Sequence, residues 1–332
     1  MMVAEKARHS AILGTGACLP ARVLTNRDLE AMVDTSDEWI VTRTGIRERR
    51  IASPEQATSD LAYEAALQAC ANASVSPGDL DLIIVATIVP DMPFPSTACL
   101  VQARLGAKKA AAFDIEAACS GFVYALAIAH QFVANGVYDK ILIIGAETLS
   151  RVTDFTDRTT CVLLGDAAGA CVIGPASDGR GILSLHLGAD GGGADLLKQP
   201  AGGSRLPATH ETVDKRQHFV YMHGSQVFKF AVKTMDSAVR RVLDECGLTT
   251  DDVSLLIPHQ ANLRIMEAAA QRLGISMDRV YVNIDKYGNT SAASVPVALH
   301  EAWEGGRIKE GDVVVLVAFG GGLTWGSAVI RW

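Results

Sequence analysis

Short apolar, β-branched runs alternate along the chain with longer alanine-rich stretches whose apolar positions recur at helical spacing. This is the pattern of crossover units that build a parallel sheet. In the first half it predicts strands over 81–87 (DLIIVAT), 110–115 (AAAFDI) and 140–146 (KILIIGA), with helices over 58–72, 96–105 and 119–134. In the second half it predicts strands over 253–257 (VSLLI), 279–284 (RVYVNI) and 312–319 (DVVVLVAF), with helices over 223–246, 262–273 and 291–304. The longest helix carries Val227, Ala231, Met235, Ala238 and Val242 on one stripe, and Lys229, Lys233, Asp236 and Arg240 on another. Each half ends in a small-residue strand pattern, CVLLGDAAGACVIG and GGGLTWGSAVIRW. A Gly-, Pro- and polar-rich stretch from about Gly188 to His218 reads as the connecting loop. The repeated order predicts an α/β protein made by internal duplication, with halves at 1–178 and 179–332.

With 332 residues, 49% of them hydrophobic and 20% charged, the chain can bury two fused core units or one large α/β domain and is not expected to be disordered. A net charge of -7 argues against a broad grip on phosphates, so nucleic acid is not an expected partner. From Ala117 to Tyr138 there is no charged residue, about the length that spans a bilayer. Ser120, His130, Gln131, Asn135 and two glycines within it favour a helix buried on all sides over a membrane span. The opening MMVAEKARHSAILGTG has no long apolar core, so no secretory signal is expected. Seven scattered cysteines without CxxC, and eight histidines without HExxH, point to reduced thiols in a cytoplasmic setting and to no metal.

In open parallel sheets, ligands gather beyond the carboxyl ends of strands. Four unusual stretches fall there: Cys119 after AAAFDI, IPHQAN after VSLLI, KYGNTSAAS after RVYVNI, and FGGGLTWG after DVVVLVA. A lone cysteine is ordinarily a small core hydrophobe. At a helix start, however, free backbone N–H groups and the dipole favour a thiolate, which is what a nucleophile needs. Sulfur-to-sulfur acyl exchange leaves the acyl group reactive, which favours acyl transfer over hydrolysis. His259, just after Pro258, and Asn289, in the turn GNT, would each alone be structural. Together they supply two neutral donors for a developing enolate. FGGGLTWG and GTGACL both fail the GxGxxG pattern, so no dinucleotide cofactor is expected, but consecutive glycines let a backbone N–H approach a thioester oxygen.

These residues, with VDTSDEWIVTRTGIRERR, AFDIEAACSGF, LLGDAAGA, IPHQANLRI, YGNTSAAS and FGGGLTWGSA, resemble the β-ketoacyl-acyl-carrier-protein synthase III family from about Asp34 to the last residue. The resemblance implies a thiolase-like fold, a duplicated five-layered α-β-α-β-α arrangement with two mixed sheets, and a homodimer. It implies the initiating condensing enzyme of type II fatty-acid synthesis. Cys119 would take a short acyl group, in the first place acetyl, from acyl-coenzyme A, which is a substrate and not a cofactor. Malonyl-acyl-carrier protein would then lose carbon dioxide, His259 and Asn289 stabilising the enolate. The N–H groups of Cys119 and Gly321 would hold the oxyanion as 3-oxoacyl-acyl-carrier protein forms.

The same resemblance places Trp39 and Arg158 around the adenine of coenzyme A, with Arg43 and Thr35 near its nucleotide end, and Gly224, Phe228 and Asn262 along the pantetheine tunnel. Without it these read as core aromatics, solvated arginines, a helix cap and a turn glycine. Phe94 resembles a residue that crosses the dimer interface to close the partner's acyl pocket. Lys229, Arg264 and Arg272 resemble a surface for the acidic acyl carrier protein, although Gln271 stands where a second lysine often occurs. CSGF replaces the common CAGF, with Ser120 expected to be tolerated sterically, and DGGGADLLKQPAGGSRLPATHETVDKRQ is individual and lies in a region expected to border the acyl tunnel, where it bears on donor selectivity. The alternatives are a related ketosynthase or acyltransferase of secondary metabolism and a non-catalytic acyl-coenzyme A binding protein.

Overall fold

The computed structural model describes residues 8–176 and 179–332. The first sheet has the strand order Ser10–Cys18, Asp166–Pro175, Ile141–Thr148, Leu82–Ala86, Ala111–Ile115. Asp166–Pro175 runs antiparallel to both neighbours, and the remaining pairs are parallel. The second sheet has the order Leu255–Pro258, Val313–Gly320, Thr324–Arg331, Gly181–Ala189, and again one strand, Thr324–Arg331, is antiparallel to both neighbours. The four strands of the second sheet therefore repeat the order and directions of the first four of the first sheet, as duplication predicts.

Side-chain alternation along the strands creates the layers. Leu82 and Ile84 face inward with Ile141 and Ile143, while Ile83, Val85, Leu142 and Ile144 face the helices Thr58–Asn72 and Thr97–Leu105. In the second sheet Val314 and Leu316 face inward, and Val313, Val315 and Val317 meet the helices Gly224–Glu245 and Leu263–Leu273. Between the sheets lie the helices Gly121–Ala134 and Ser294–Glu304, whose buried residues belong to the same inner core. The result is the expected five layers. The uncharged segment is thus an internal helix, and among the described residues no helix is long and apolar enough to cross a membrane.

Small residues set how closely these layers approach. A side chain at Gly169 would come within 2.7 Å of Val297 N, and one at Gly145 would collide with the Ala292 carbonyl. Both contacts bring the start of the Ser294–Glu304 helix onto the first sheet.

Three expectations need correction. Residues 279–284 do not form a strand: beside Leu255–Pro258 there is a single parallel bridge, Leu256 to Val280. The Gln260 side chain replaces the ladder, donating to Tyr281 O (3.1 Å) and accepting from Asn283 N–H (3.0 Å). The 188–218 stretch is not the connection between halves, because the chain passes from one sheet to the other between Pro175 and Gly181. It instead carries a short strand, Leu197–Lys198, paired with Tyr221–Met222, and a helix, His210–Asp214. The pattern also did not predict the hairpin of Arg22–Thr25 with Glu48–Ile51, or the helix Asp37–Thr44 beside it. The division proposed at 178 and the first seven residues of the opening stretch lie outside the described residues.

Replacing Gly145 with alanine forces a Cβ into a backbone carbonyl that cannot move aside, with an expected cost of about 3 kcal/mol or more. Gly78, where a Cβ meets only Ser76 Oγ at 3.9 Å, is the control, and its alanine variant should stay within about 0.5 kcal/mol. Urea denaturation of both variants checks this; equal midpoints would refute the packing argument.

Candidate active site

Cys119 lies in a single 3-10 turn, Ala118–Ser120, between the strand Ala111–Ile115 and the helix Gly121–Ala134. Ala118 has φ 45°, the left-handed conformation that lets the chain reverse sharply before the helix. The turn rests on the second half of the molecule: a Cβ at Gly320 would lie 2.7 Å from Cys119 N, so only glycine admits this contact. Ser120 Oγ donates to Ala117 O (2.7 Å) and meets Thr324 Oγ1 at 2.8 Å, while Thr324 Oγ1 donates to Ala117 O (2.9 Å) and reaches Gly321 O (3.0 Å). The serine of CSGF is therefore more than sterically tolerated. It stitches the cysteine turn to the FGGG loop.

Cys119, Asn289 and Gly321 line one cavity of about 430 Å³, together with Ser291 and Thr324. Apolar wall comes from Ile88, Leu149, Leu163, Leu197, Val220 and Met222; Glu116 and Lys198 are its charged members. The individual 188–218 stretch, expected to border the acyl tunnel, supplies Ala194, Leu197, Lys198 and Gln199 to this wall.

Asn289 is fixed by its backbone, which donates to Leu163 O (2.8 Å) and accepts from Gly165 N–H (3.0 Å). Its Oδ1 accepts from Ser291 N–H (2.9 Å), which assigns the amide: the oxygen is occupied and the NH2 is the free end. Gly288 before it has φ 64°, with the Leu163 carbonyl where a Cβ would project.

His259 is not part of the cavity wall. It is 1% exposed, its ring edge-on to Phe319 at 5.4 Å, and its Nδ1 is 2.6 Å from Ser294 Oγ. Ser294 Oγ also accepts from Gln260 N–H (3.4 Å); when the Ser294 hydroxyl donates to Nδ1, the imidazole proton stands on Nε2. Burial holds the His259 pKa down at about 3, so the ring is a neutral donor. Cys119 departs from expectation, for burial pushes its thiol up to about 12. The Ser291 hydroxyl works in the opposite direction, and buried Glu147 adds to the rise.

The remaining candidates lie outside this cavity. Arg43 and Arg158 place their guanidinium carbons 4.7 and 5.5 Å from the Trp39 ring centroid, and Arg158 also donates to Asp34 O (2.8 Å). Thr35 Oγ1, nearby in sequence, is buried without a partner among the described residues. Asn262 is a helix cap, as its bland reading had it, accepting from Arg264 N–H (2.9 Å), and it also donates to Arg43 O (3.0 Å). Arg264 in turn lies 6.0 Å over Phe228, so a string of contacts runs from Trp39 through Arg43, Asn262 and Arg264 to Phe228. Gly224 is exposed, and a Cβ there would meet only Met222 Cε at 3.9 Å. Lys229 borders a separate surface depression, and Arg272 is paired with Asp236 at 3.0 Å. Phe94 is 85% exposed in the loop ahead of Thr97–Leu105.

The residues missed from sequence are Ser291, Ser294, Glu147 and Thr324. The first, second and fourth sit inside the quoted motifs YGNTSAAS and FGGGLTWG, whose hydroxyls were the available signal.

His259 is neutral in the folded protein and protonated below about 6.5 in the unfolded chain, so the unfolded state binds the extra proton between those limits. Stability is therefore lost as pH falls from about 6.5 toward 3. His259→Gln should remove its share of this acid limb. Urea midpoints of both proteins across that range test it, and identical pH slopes would contradict a neutral buried imidazole.

Comparison with known proteins agrees along almost the whole chain. Residues 113–191 match the model of 3-oxoacyl-[acyl-carrier-protein (ACP)] synthase III, and residues 243–332 match its C-terminal model. The β-ketoacyl-[acyl-carrier-protein] synthase III of Caldanaerobacter subterraneus subsp. tengcongensis is 64% identical over 321 residues, 97% of each chain. The crystal structure of 3-oxoacyl-[acyl-carrier-protein] synthase III from Aquifex aeolicus superposes with a TM-score of 0.91 at 50% identity, covering 97% of this chain and 100% of that one. The priming β-ketosynthase of the R1128 polyketide biosynthetic pathway gives a TM-score of 0.92 at 34% identity, covering 99% and 98%.

Proposed function

The chain belongs to the 3-oxoacyl-[acyl-carrier-protein] synthase III family, with its thiolase-like fold, and is an acyltransferase, an initiating condensing enzyme of fatty-acid synthesis; from that premise we propose how its own residues carry the reaction. Cys119 Sγ accepts a short acyl group, in the first place acetyl, from acyl-coenzyme A, and coenzyme A leaves. Malonyl-acyl-carrier protein then binds and loses carbon dioxide. The Asn289 NH2 and the His259 Nε2–H donate to the enolate oxygen, and the carbanion attacks the acyl-cysteine. The N–H groups of Cys119 and Gly321 hold the tetrahedral oxyanion, where preorganised donors are worth most because water is excluded. The observation that carries this reading is that Cys119, Asn289 and Gly321 line one cavity from three separate segments, with neutral His259 anchored by Ser294 on the segment after Asn289.

Acyl-coenzyme A is consumed as a substrate, and no resident cofactor is part of the mechanism. Its adenine enters between Trp39 and Arg158, beside Arg43 and Thr35. Two stacked contacts need about 3.5 Å each, so the 5.5 Å separation widens on binding. The pantetheine arm follows Phe228, Gly224 and Asn262. Lys229, Arg264 and Arg272 receive the acidic carrier protein, Arg264 and Lys229 with charges not committed to an ion pair among the described residues.

The two halves, 1–178 and 179–332, act as one unit, and the enzyme works as a cytoplasmic homodimer with no role at a membrane or on nucleic acid. Support for the dimer comes from Ala111–Ile115, an edge strand with half-exposed Phe113 and Ile115, a kind of edge that proteins cover. Phe94, exposed in the loop ahead of Thr97–Leu105, closes the partner's acyl pocket.

Intact-mass measurement after mixing with acetyl-coenzyme A should show one acetyl group, mapped to Cys119 and absent from Cys119→Ala. Asn289→Ala and His259→Ala should still load the acyl group while carbon dioxide release from malonyl-acyl-carrier protein falls about 10²–10³-fold. Acylation elsewhere than Cys119, or none, would overturn the reading. A series of acetyl, isobutyryl and octanoyl donors should favour the short ones, and Phe94→Ala should raise octanoyl use relative to acetyl. Octanoyl preference in the unaltered enzyme would refute the pocket assignment, and failure to form 3-oxoacyl-carrier protein would favour a secondary-metabolism acyltransferase.

A further inference from the structure

Glu147, on the strand Ile141–Thr148, is fully buried. Among the described residues it has no ion-pair partner, an expensive arrangement for a carboxylate. Its contacts are instead directed toward the cysteine. Oε1 accepts from Ser291 Oγ (3.0 Å), Oε2 from Thr87 Oγ1 (3.1 Å), and the Ile88 N–H donates to Oε2 at 3.2 Å. Ser291 lines the same cavity as Cys119, and its hydroxyl works to lower the thiol pKa. Ser291 is held there in a left-handed conformation, φ 47°, by the Asn289 side chain. A sulfur, a hydroxyl and a buried carboxyl thus stand in series.

We propose that Glu147 is a positioning residue that takes the Cys119 thiol proton through the Ser291 hydroxyl and returns it when the sulfur is released. The proposal rests on Cys119 being the acyl acceptor. In the forward step the Sγ–H bond breaks with its electron pair left on sulfur; the proton passes to Ser291 Oγ as the Ser291 proton passes to Glu147 Oε1. The sulfur pair forms the bond to the thioester carbon, and the coenzyme A sulfur leaves with its own pair and takes a proton from water. When the carbanion attacks the acyl-cysteine, the C–S bond breaks toward sulfur and the same two protons move back.

Burial raises the Glu147 pKa to about 8, against the opposing hydrogen bond from Ser291, so the carboxyl has the proton affinity a transient acceptor needs near neutrality. The titratable groups around the series are Cys119 itself, Glu116 and Lys198 on the cavity wall, His259 behind Ser294, and Asp166 on the neighbouring strand. Asp166 is occupied by Ser150 and by Ala52 N–H.

Alkylation of the whole enzyme by iodoacetamide tests this, with label quantified at Cys119 by peptide mapping because Cys99 is exposed. In the unaltered enzyme the rate should rise about tenfold per pH unit up to about 8, where Glu147 becomes the carboxylate, and then level. Glu147→Gln and Ser291→Ala should each react about tenfold or more slowly at pH 8. Their rates should keep climbing through pH 10, since only the thiol, at about 12, then governs the thiolate fraction. Thermal melting establishes which variants fold, and if only one does, its profile decides. An unaltered rate and profile in a folded variant overturns the proposal. Alkylation uses neither acyl-coenzyme A nor carrier protein, so this result stands apart from the acyl-transfer assays.

Discussion

The contact on which the rest depends is the packing of the Cys119 turn against the backbone of Gly320. A Cβ there would sit 2.7 Å from Cys119 N and 3.1 Å from Ala117 O, so two pieces of main chain from opposite halves meet with nothing between them. That proximity brings Gly321 to the same cavity as the cysteine, and the hydroxyls of Ser120 and Thr324 hold the two segments together. The same device recurs at Gly145 and Gly169, where the start of the Ser294–Glu304 helix lies on the first sheet. Asn289 and Ser291 are carried to the cysteine on the segment that leads into that helix. The duplicated architecture acts here as a clamp, each sheet delivering one side of the site.

Burial of these side chains between the two halves sets the electrostatics. Burial neutralises His259 and raises both the Cys119 thiol and the Glu147 carboxyl, so the resting site carries little net charge. Uncharged donors suit an enolate that exists only during the reaction, because a permanent cation or anion would bind or repel the ground state as well. The thiolate is correspondingly costly to make. The Ser291 hydroxyl offsets that cost locally, and the carboxyl behind it is the group proposed to take the proton.

Much of the architecture was legible along the chain. Strands such as Leu82–Ala86 and Val313–Gly320, and the helices Thr58–Asn72 and Gly224–Glu245, fall within a residue or two of the periodic runs that predicted them, since alternation and helical spacing are local properties. The positions of Cys119 and His259 at strand ends were legible for the same reason. RVYVNI misled because its β-branched pattern is genuine, yet its backbone partner is the Gln260 amide, which no local pattern announces. The 188–218 stretch misled only as the connection between halves, because composition identifies a loop but not which elements it joins.

By itself, then, the sequence determined the succession of elements, their duplication, and which residue types stand at the strand ends, all of which follow from periodicity and turn chemistry within a few neighbouring positions. Only the tertiary structure decided what those residues experience. Ser291 and Glu147 are separated by 144 positions, and Ser120 and Thr324 by 204, so their contacts exist only once both sheets have closed on the inner helices. Proton affinity follows the same rule, because it is set by the water a group loses and the partners it gains, and both are fixed by packing between distant segments.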